Sequence, residues 1–301
     1  MDISLANIAR AATAIDPVFR DTPQYFDEQL CAALGRRVLV KVETANPLRS
    51  FKGRGADHLL GAVAAGTRLV CASAGNFGQA IAYAARGRDV PVEVFVSTAA
   101  VPDKITRMRA FGATVVEVPG DFSAAKAAAR AHAEATGARF VEDGRDVAIT
   151  EGAGTIGVEL LRAGVALDAV VLPVGDGALI TGVARWLREH SPTTRVVGVC
   201  AAGAPAVARA WRGEPVGDGP VDTIADGIAV RTPVPEAVPR LRALVDDVVL
   251  VDDDAIRAAA ALAHRVLGLV LEPAGAVGLA GIAAHDLPGE TLATVLTGSN
   301  V

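Results

Sequence analysis

From residue 68 onward, short β-branched runs alternate with alanine-rich stretches of helical length, and this alternation most limits what the chain can fold into. "RLVCAS" (68–73) leads into "FGQAIAYAARG" (77–87), "PVEVFVS" (91–97) into "DKITRMRAFG", and "ATVVEVP" into "FSAAKAAARAHAEATG". The pattern resumes with "LDAVVLPVG" (167–175), "ALITGVARWLREH", "RVVGVCA", "DVVLVDD", "DAIRAAAALAHRVLG" and "TLATVLTG". Strand-length runs that alternate with helix-length runs imply βαβ units and an α/β fold built on parallel, twisted sheets. Unbroken apolar strands such as "AVVLPV" imply sheets covered by helices on both faces. The 301 residues allow one large or two ordinary domains.

Charge and cysteine usage narrow the function classes. The formal net charge is −5, with no basic stripe, which argues against a nucleic-acid partner. "MDISLANIARAATAIDP" carries charges and lacks an apolar core, so neither a signal peptide nor a membrane anchor is expected there. Later apolar runs are interrupted by Gly, Asp or Arg before reaching the roughly 20 residues of a spanning helix. Cys31, Cys71 and Cys200 are far apart and odd in number, so the expectation is a chain without disulfides in a reducing cytoplasm. The five histidines (58, 132, 190, 264, 285) show no zinc-ligand spacing, and no metal site is expected.

Ligands of open parallel sheets bind at the carboxyl ends of strands. Four segments fall at such ends: "SFKGRG", "SAGNFG", "VGDGALITG" and "TGSN". Arginine outnumbers lysine 25 to 4, yet Lys52 stands between Phe51 and Gly53 after a strand. A lysine amine can lose its proton and attack a carbonyl, whereas a guanidinium stays charged and is a poor nucleophile. In "PVGDGALITG" (173–182) a glycine turn opens a helix, where backbone N–H groups could cradle a phosphate. The same residues suit an ordinary βα turn, and Asp176 would repel a phosphate unless it points outward. Ser73, Gly75 and Asn76 could receive a carboxylate at a helix start, or could simply cap that helix. "TGSN" (297–300) could equally be a frayed end.

"SFKGRG", "SAGN", "GAGTIGVEL" (152–160), "VGDGALITG", "TIADGIAV" (223–230), "EPAGAVGLAG" (272–281) and "TGSN" occur in the order seen in pyridoxal-phosphate enzymes of fold type II. From about residue 36 to the end the chain resembles their threonine/serine dehydratase and serine racemase branch. The resemblance implies a tryptophan synthase β-like architecture: a large cofactor domain (1–66 and 147–301), an inserted small domain closing over substrate (67–146), and a homodimer. It implies pyridoxal 5'-phosphate as cofactor, with Lys52 carrying its aldehyde as an imine and Phe51 packed behind the ring. Gly175, Asp176, Gly177, Ala178 and Leu179 match the phosphate loop, which in the family has four glycines and a leucine, so two glycines are kept. Asn76 matches the residue facing the ring hydroxyl and Thr297 the hydroxyl that meets the pyridine nitrogen. A hydroxyl leaves that nitrogen unprotonated, making the ring a modest electron sink. Ser73, Ala74 and Gly75, followed by Asn76 and Phe77, match the loop that takes the substrate carboxylate. Gly227 and Glu272 belong to blocks flanking the cofactor.

Three departures bear on the reaction. Ala74 stands where the racemases have a serine as second base. Phe77 replaces a frequent histidine, which implies a more apolar substrate side. "AAGAPAVARA" lacks the carboxylates of the racemase cation site. With no regulatory domain after Val301, allosteric effector control is not expected. The leading expectation is a carbon–oxygen lyase of amino-acid metabolism that deaminates a β-hydroxy-α-amino acid such as L-threonine or L-serine. The alternatives are a β-replacement synthase, a specialised dehydratase of secondary metabolism, or a catalytically silent cofactor-binding protein. Leu179-Ile180 sides with the dehydratases, because replacement synthases usually place threonines in this loop.

Overall fold

A computed structural model describes residues 1–217 and 219–301. Among the described residues ten strands form two sheets. The six-stranded sheet has the order β1-β2-β10-β7-β8-β9, from β1 (Gln24–Phe26), β2 (Arg37–Val42), β7 (Ala169–Pro173), β8 (Arg195–Ala201), β9 (Asp247–Val251) and β10 (Thr291–Leu296). Only β1 runs antiparallel to its neighbour, in register Gln24 to Lys41; the other pairings are parallel. The four-stranded sheet has the order β5-β4-β3-β6, from β3 (Leu69–Ala72), β4 (Val92–Ser97), β5 (Thr114–Val118) and β6 (Arg139–Phe140), and is wholly parallel.

Helices α1 (Leu5–Ala14), α2 (Glu28–Leu34) and α3 (Lys52–Leu60) precede the smaller sheet. Within its span lie α4 (Asn76–Ala85), α5 (Pro102–Ala110) and α6 (Phe122–Thr136). The chain continues through α7 (Val147–Leu161), α8 (Ala178–His190), α9 (Ala206–Arg212), α10 (Ala237–Leu244), α11 (Asp253–Leu267) and α12 (Pro273–Ala284). All five residues of β7 are buried, as a central strand packed on both faces requires. Val171 and Val199 face the α11–α12 side, and Val170 and Leu172 face the α7–α8 side. The alternation seen in the sequence from residue 68 is therefore that of doubly covered parallel sheets.

Two glycines bring α3 close to α7. A Cβ at Gly152 would lie 2.5 Å from Arg54 O, and one at Gly55 would lie 2.6 Å from Ile149 O. Below this contact sits a buried charge cluster. Arg54 donates to both Glu43 oxygens at 2.8 Å, to Glu159 at 2.6 and 2.9 Å, and to Thr155 and Thr22 hydroxyls. Lys41 Nζ lies 2.6 Å from Glu159 Oε2. The alternation of "RVLVKVE" reads as a strand-edge charge at Lys41, but β2 is flanked by β1 and β10 and Lys41 is fully buried. Two cations and two carboxylates balance, which is what permits such groups inside. The cluster fixes the helix whose first residue is Lys52.

Candidate active site

The carboxyl ends of β3, β6, β7 and β10 meet at one cavity of about 400 Å³, between the two sheets. Every site residue singled out from the sequence borders it, from Phe51 and Lys52 to Thr297. Lys52 opens α3, where its ammonium lies 4.6 Å from the Phe51 ring centre and touches the Asp143 carboxylate. Phe51 N–H donates to Thr297 O at 3.1 Å, tying the lysine segment to the strand end beside it. The "TGSN" end is no frayed terminus, since Thr297 and Asn300 are buried. Asn300 donates to Leu48 O and to Asn76 Oδ1, both at 2.8 Å, and Thr297 Oγ1 lies 3.4 Å from Ala274 O.

The Ser73–Gly75 turn leads from β3 into α4, with Gly75 N–H donating to Ser73 Oγ at 3.2 Å. Asn76, first residue of α4, donates to Glu272 Oε1 at 2.6 Å. This bond reaches from the smaller sheet's first helix to the N-cap of α12. Burial, reinforced by the charge of Asp226, pushes the Glu272 carboxyl up to about 7 against the opposing effects of Lys104 and the Asn76 bond.

At the end of β7, Gly177 has φ 95°, which a glycine adopts without strain, and it precedes α8 with no side-chain cap. The first-turn N–H groups of α8 therefore carry no capping side chain where the helix meets the cavity, an arrangement that suits a phosphate. With an amine, an aromatic wall at Phe51 and a buried hydroxyl at Thr297, these residues fit a phosphorylated aromatic aldehyde. Asp176, whose direction the turn chemistry left open, borders the cavity beside Asp143 and Lys52.

Sequence reading missed Asp143, Lys104, Lys126, Asp226 and Arg231, which also border the cavity. Asp143 follows β6, a strand of only two residues, so no periodic run marked that turn as a strand end. Lys104 meets Asp226 at 2.5 Å and Arg231 meets Asp121 at 2.7 Å, two ion pairs that join the helices of the smaller sheet to the segment between α9 and α10. Among the described residues no group of three His, Cys, Asp or Glu side chains gathers to hold an ion. No helix among them is long and apolar enough to cross a membrane.

Comparison with known proteins agrees with this geometry. The profile of the pyridoxal-phosphate dependent enzyme family matches residues 15–298, so the likeness begins earlier than the motifs from residue 36 implied. The chain is 37% identical over 311 residues to L-threonine dehydratase biosynthetic IlvA of Mycobacterium leprae, covering 99% of this chain and 72% of that protein. It is 37% identical over 277 residues to L-threonine ammonia-lyase of Geobacter sulfurreducens, covering 89% and 68%. The crystal structure of threonine deaminase from T.th. superposes with a TM-score of 0.92 at 35% identity, over 99% of this chain and 98% of that one. Maize serine racemase superposes with a TM-score of 0.91 at 26% identity, over 100% and 94%. The chain belongs to the pyridoxal-phosphate dependent enzymes, in the fold type II branch of threonine/serine dehydratases and serine racemases.

Proposed function

We propose that the chain is a pyridoxal-phosphate dependent ammonia-lyase that eliminates the β-hydroxyl of L-threonine or L-serine, giving a 2-oxo acid and ammonia. The observation that carries this reading is the convergence of Lys52, the uncapped α8 N-terminus and Thr297 on one cavity. Lys52 would hold the cofactor's aldehyde carbon, the first turn of α8 its phosphate, Thr297 its ring nitrogen and Asn76 its ring hydroxyl. When bound, pyridoxal phosphate supplies a sink for the electrons released at the substrate's Cα.

The chain's own residues do the rest. Ser73, Ala74 and Gly75 receive the substrate carboxylate at the start of α4, and orient Cα toward the lysine. The Lys52 amine accepts the Cα proton, and Asp143 beside it holds the resulting ammonium in place. Phe77 and Ala178 border the same cavity and limit water access. Gly227 and Glu272 support the ring side, with Glu272 positioning Asn76 through their hydrogen bond.

The smaller sheet with its helices, residues 67–146, is the domain that closes over substrate, and 1–66 with 147–301 is the cofactor domain. A homodimer and a cytoplasmic location complete the reading; Cys31, Cys71 and Cys200 are free, which suits a reducing compartment. Release of 2-oxo acid from a panel of L-hydroxy amino acids tests the function. Deamination of threonine or serine supports it. Turnover only with an added second nucleophile would replace it with β-replacement.

A further inference from the structure

The turn between β7 and α8 carries one acidic residue, Asp176, between Gly175 and Gly177. Asp176 is half-buried, borders the cavity, and takes part in no side-chain hydrogen bond or ion pair among the described residues. The turn after β6 packs directly onto it: a Cβ at Gly144 would collide with Asp176 O and lie 3.0 Å from the Asp176 Cβ. The charges around it are otherwise paired off. Lys52 contacts Asp143, and Lys126 contacts Glu142, which Arg130 also binds at 2.7 Å. Behind the turn, Arg240 donates to Gly144 O at 2.8 Å and is committed to Asp2. Arg145 is held between Glu142 and Glu236. Asp176 is left with neither a counterion nor a side-chain hydrogen bond among the described residues, and a phosphate on the first turn of α8 would bring a second anion to the same loop. Burial, then the charge of Asp143, pushes its carboxyl up to about 7, with Lys126 and Lys52 opposing and Glu142 adding to the rise.

We propose that Asp176 is a proton-carrying ligand of the cofactor phosphate: its neutral O–H donates a hydrogen bond to a phosphate oxygen, and seating the cofactor makes this carboxyl take up a proton from solvent. The inference rests on the phosphate seat proposed above. The balance is simple, since one proton moves from solvent to the carboxylate and the phosphate keeps its own charge while accepting the bond. The glycine of the usual loop has no such proton to gain or lose. This chain therefore loses its cofactor as pH rises in a way a glycine loop does not.

The test is titration of the cofactor-free protein with pyridoxal 5'-phosphate between about pH 6 and 9, for the unmutated chain, Asp176→Asn and Asp176→Gly. Asparagine keeps a donor without the charge, and glycine restores the usual loop. Taking the ratio of dissociation constants, unmutated over Asp176→Asn, cancels the titration of Lys52 and of the phosphate itself. That ratio should be near one at the acid end and rise by about tenfold per pH unit above about 7. Calorimetry near pH 8 in two buffers of different ionisation heat should show the unmutated chain taking up about one proton more than Asp176→Gly. A flat ratio with equal proton counts, while cofactor still binds, overturns the proposal and leaves the phosphate seat standing. Failure of all three folded proteins to bind the cofactor overturns both. If Asp176→Asn does not fold, the glycine variant and the proton count decide alone.

Discussion

The Lys52 ammonium touches the Asp143 carboxylate, joining the first residue of α3 to the turn after β6. Both side chains are mostly buried, so the pair is poorly screened by water. On the reading proposed above, a carboxylate in this place would steady the ammonium formed when Lys52 takes a proton from substrate. Asp143→Asn should lower kcat by about tenfold or more while leaving the visible absorbance of the bound cofactor largely intact. Lys52→Ala should abolish turnover and the fixation of cofactor by borohydride. Fixation at Lys104 or Lys126 instead would show that the nucleophile is misassigned. Lys41 is already removed from contention by its place in the buried cluster with Glu159.

Acid and base should destabilise the cofactor-free protein for different reasons. Burial alone would raise the Glu159 carboxyl, but the Arg54 bonds and the charges of Arg54 and Lys41 outweigh it and bring it down to about 2. Its folded value lies below the ordinary 4.5, so its contribution is present above 4.5 and is lost as pH falls toward 2. Glu272 is the reverse: its folded value of about 7 lies above 4.5, so stability is greatest below 4.5 and falls as pH rises to about 7. Each window amounts to about 3 kcal/mol. Asp176, also pushed up to about 7, adds a parallel loss over the same range. Urea unfolding should therefore peak near pH 5, and Glu272→Gln should remove about half of the slope between 5 and 7. A variant whose upper limb keeps the full slope would place that dependence elsewhere.

The parts of this fold that were legible in the sequence are those held by local periodicity. "AVVLPV" reads as a doubly buried strand because nothing polar interrupts it, and β7 is one. The Asn76, Gly177 and Thr297 segments are legible because each directly follows a strand, whereas Lys52 comes ten residues after β2 and stands out by being one of four lysines. Long-range pairings leave no local trace. Glu151 accepts from Ser4 and Asn7, 147 and 144 residues away, and this fastens α1, which the alternation from residue 68 did not reach. Asp143 escaped because the strand that positions it is two residues long. Asp176 could be read as outward-facing because turn chemistry alone does not set its direction; in the structure it borders the cavity.

On the reading proposed above Thr297 would serve the ring nitrogen, and its hydroxyl is held by one long bond, 3.4 Å to Ala274 O. Thr297→Ala should weaken cofactor binding and slow elimination. Thr297→Asp would keep the pyridine nitrogen protonated and lengthen the life of the carbanion, raising side reactions relative to elimination. Unaltered kinetics in both variants would show that this hydroxyl does not serve the ring.

The ion pairs Lys104–Asp226 and Arg231–Asp121 span the cavity between the two sheets. Asp226 and Asp121 are well exposed, so these pairs are weak and salt-sensitive. In the closure proposed above they would bias the approach of the two sheets without touching the reacting atoms. Raising ionic strength should increase KM by about twofold with kcat little changed, and Arg231→Ala should show a higher KM with a smaller salt response. Equal salt responses in the two proteins would show that the Arg231 pair does not act on closure.

Ala74 separates elimination from racemisation. Inversion at Cα needs proton removal on one face and delivery on the other, and in the proposed reaction Lys52 would serve one face only. The Ser73–Gly75 turn borders the cavity from β3, and a methyl group there can neither give nor take a proton. Two other groups could compete for the role of second acid. Glu151 is buried under α1, held by Ser4, Asn7 and His58, and does not border the cavity. Ser73 does border it, with its Oγ accepting from Gly75 N–H at 3.2 Å. A single-base site should therefore exchange the Cα proton without inverting the centre. L-serine or L-threonine stopped at partial conversion should contain no accumulating D-enantiomer by chiral chromatography. Ala74→Ser should introduce slow racemisation if the hydroxyl comes within about 3 Å of the far side of Cα. Substantial inversion by the unmutated chain would overturn the one-base reading, and loss of that inversion in Ser73→Ala would then identify Ser73 as the second acid.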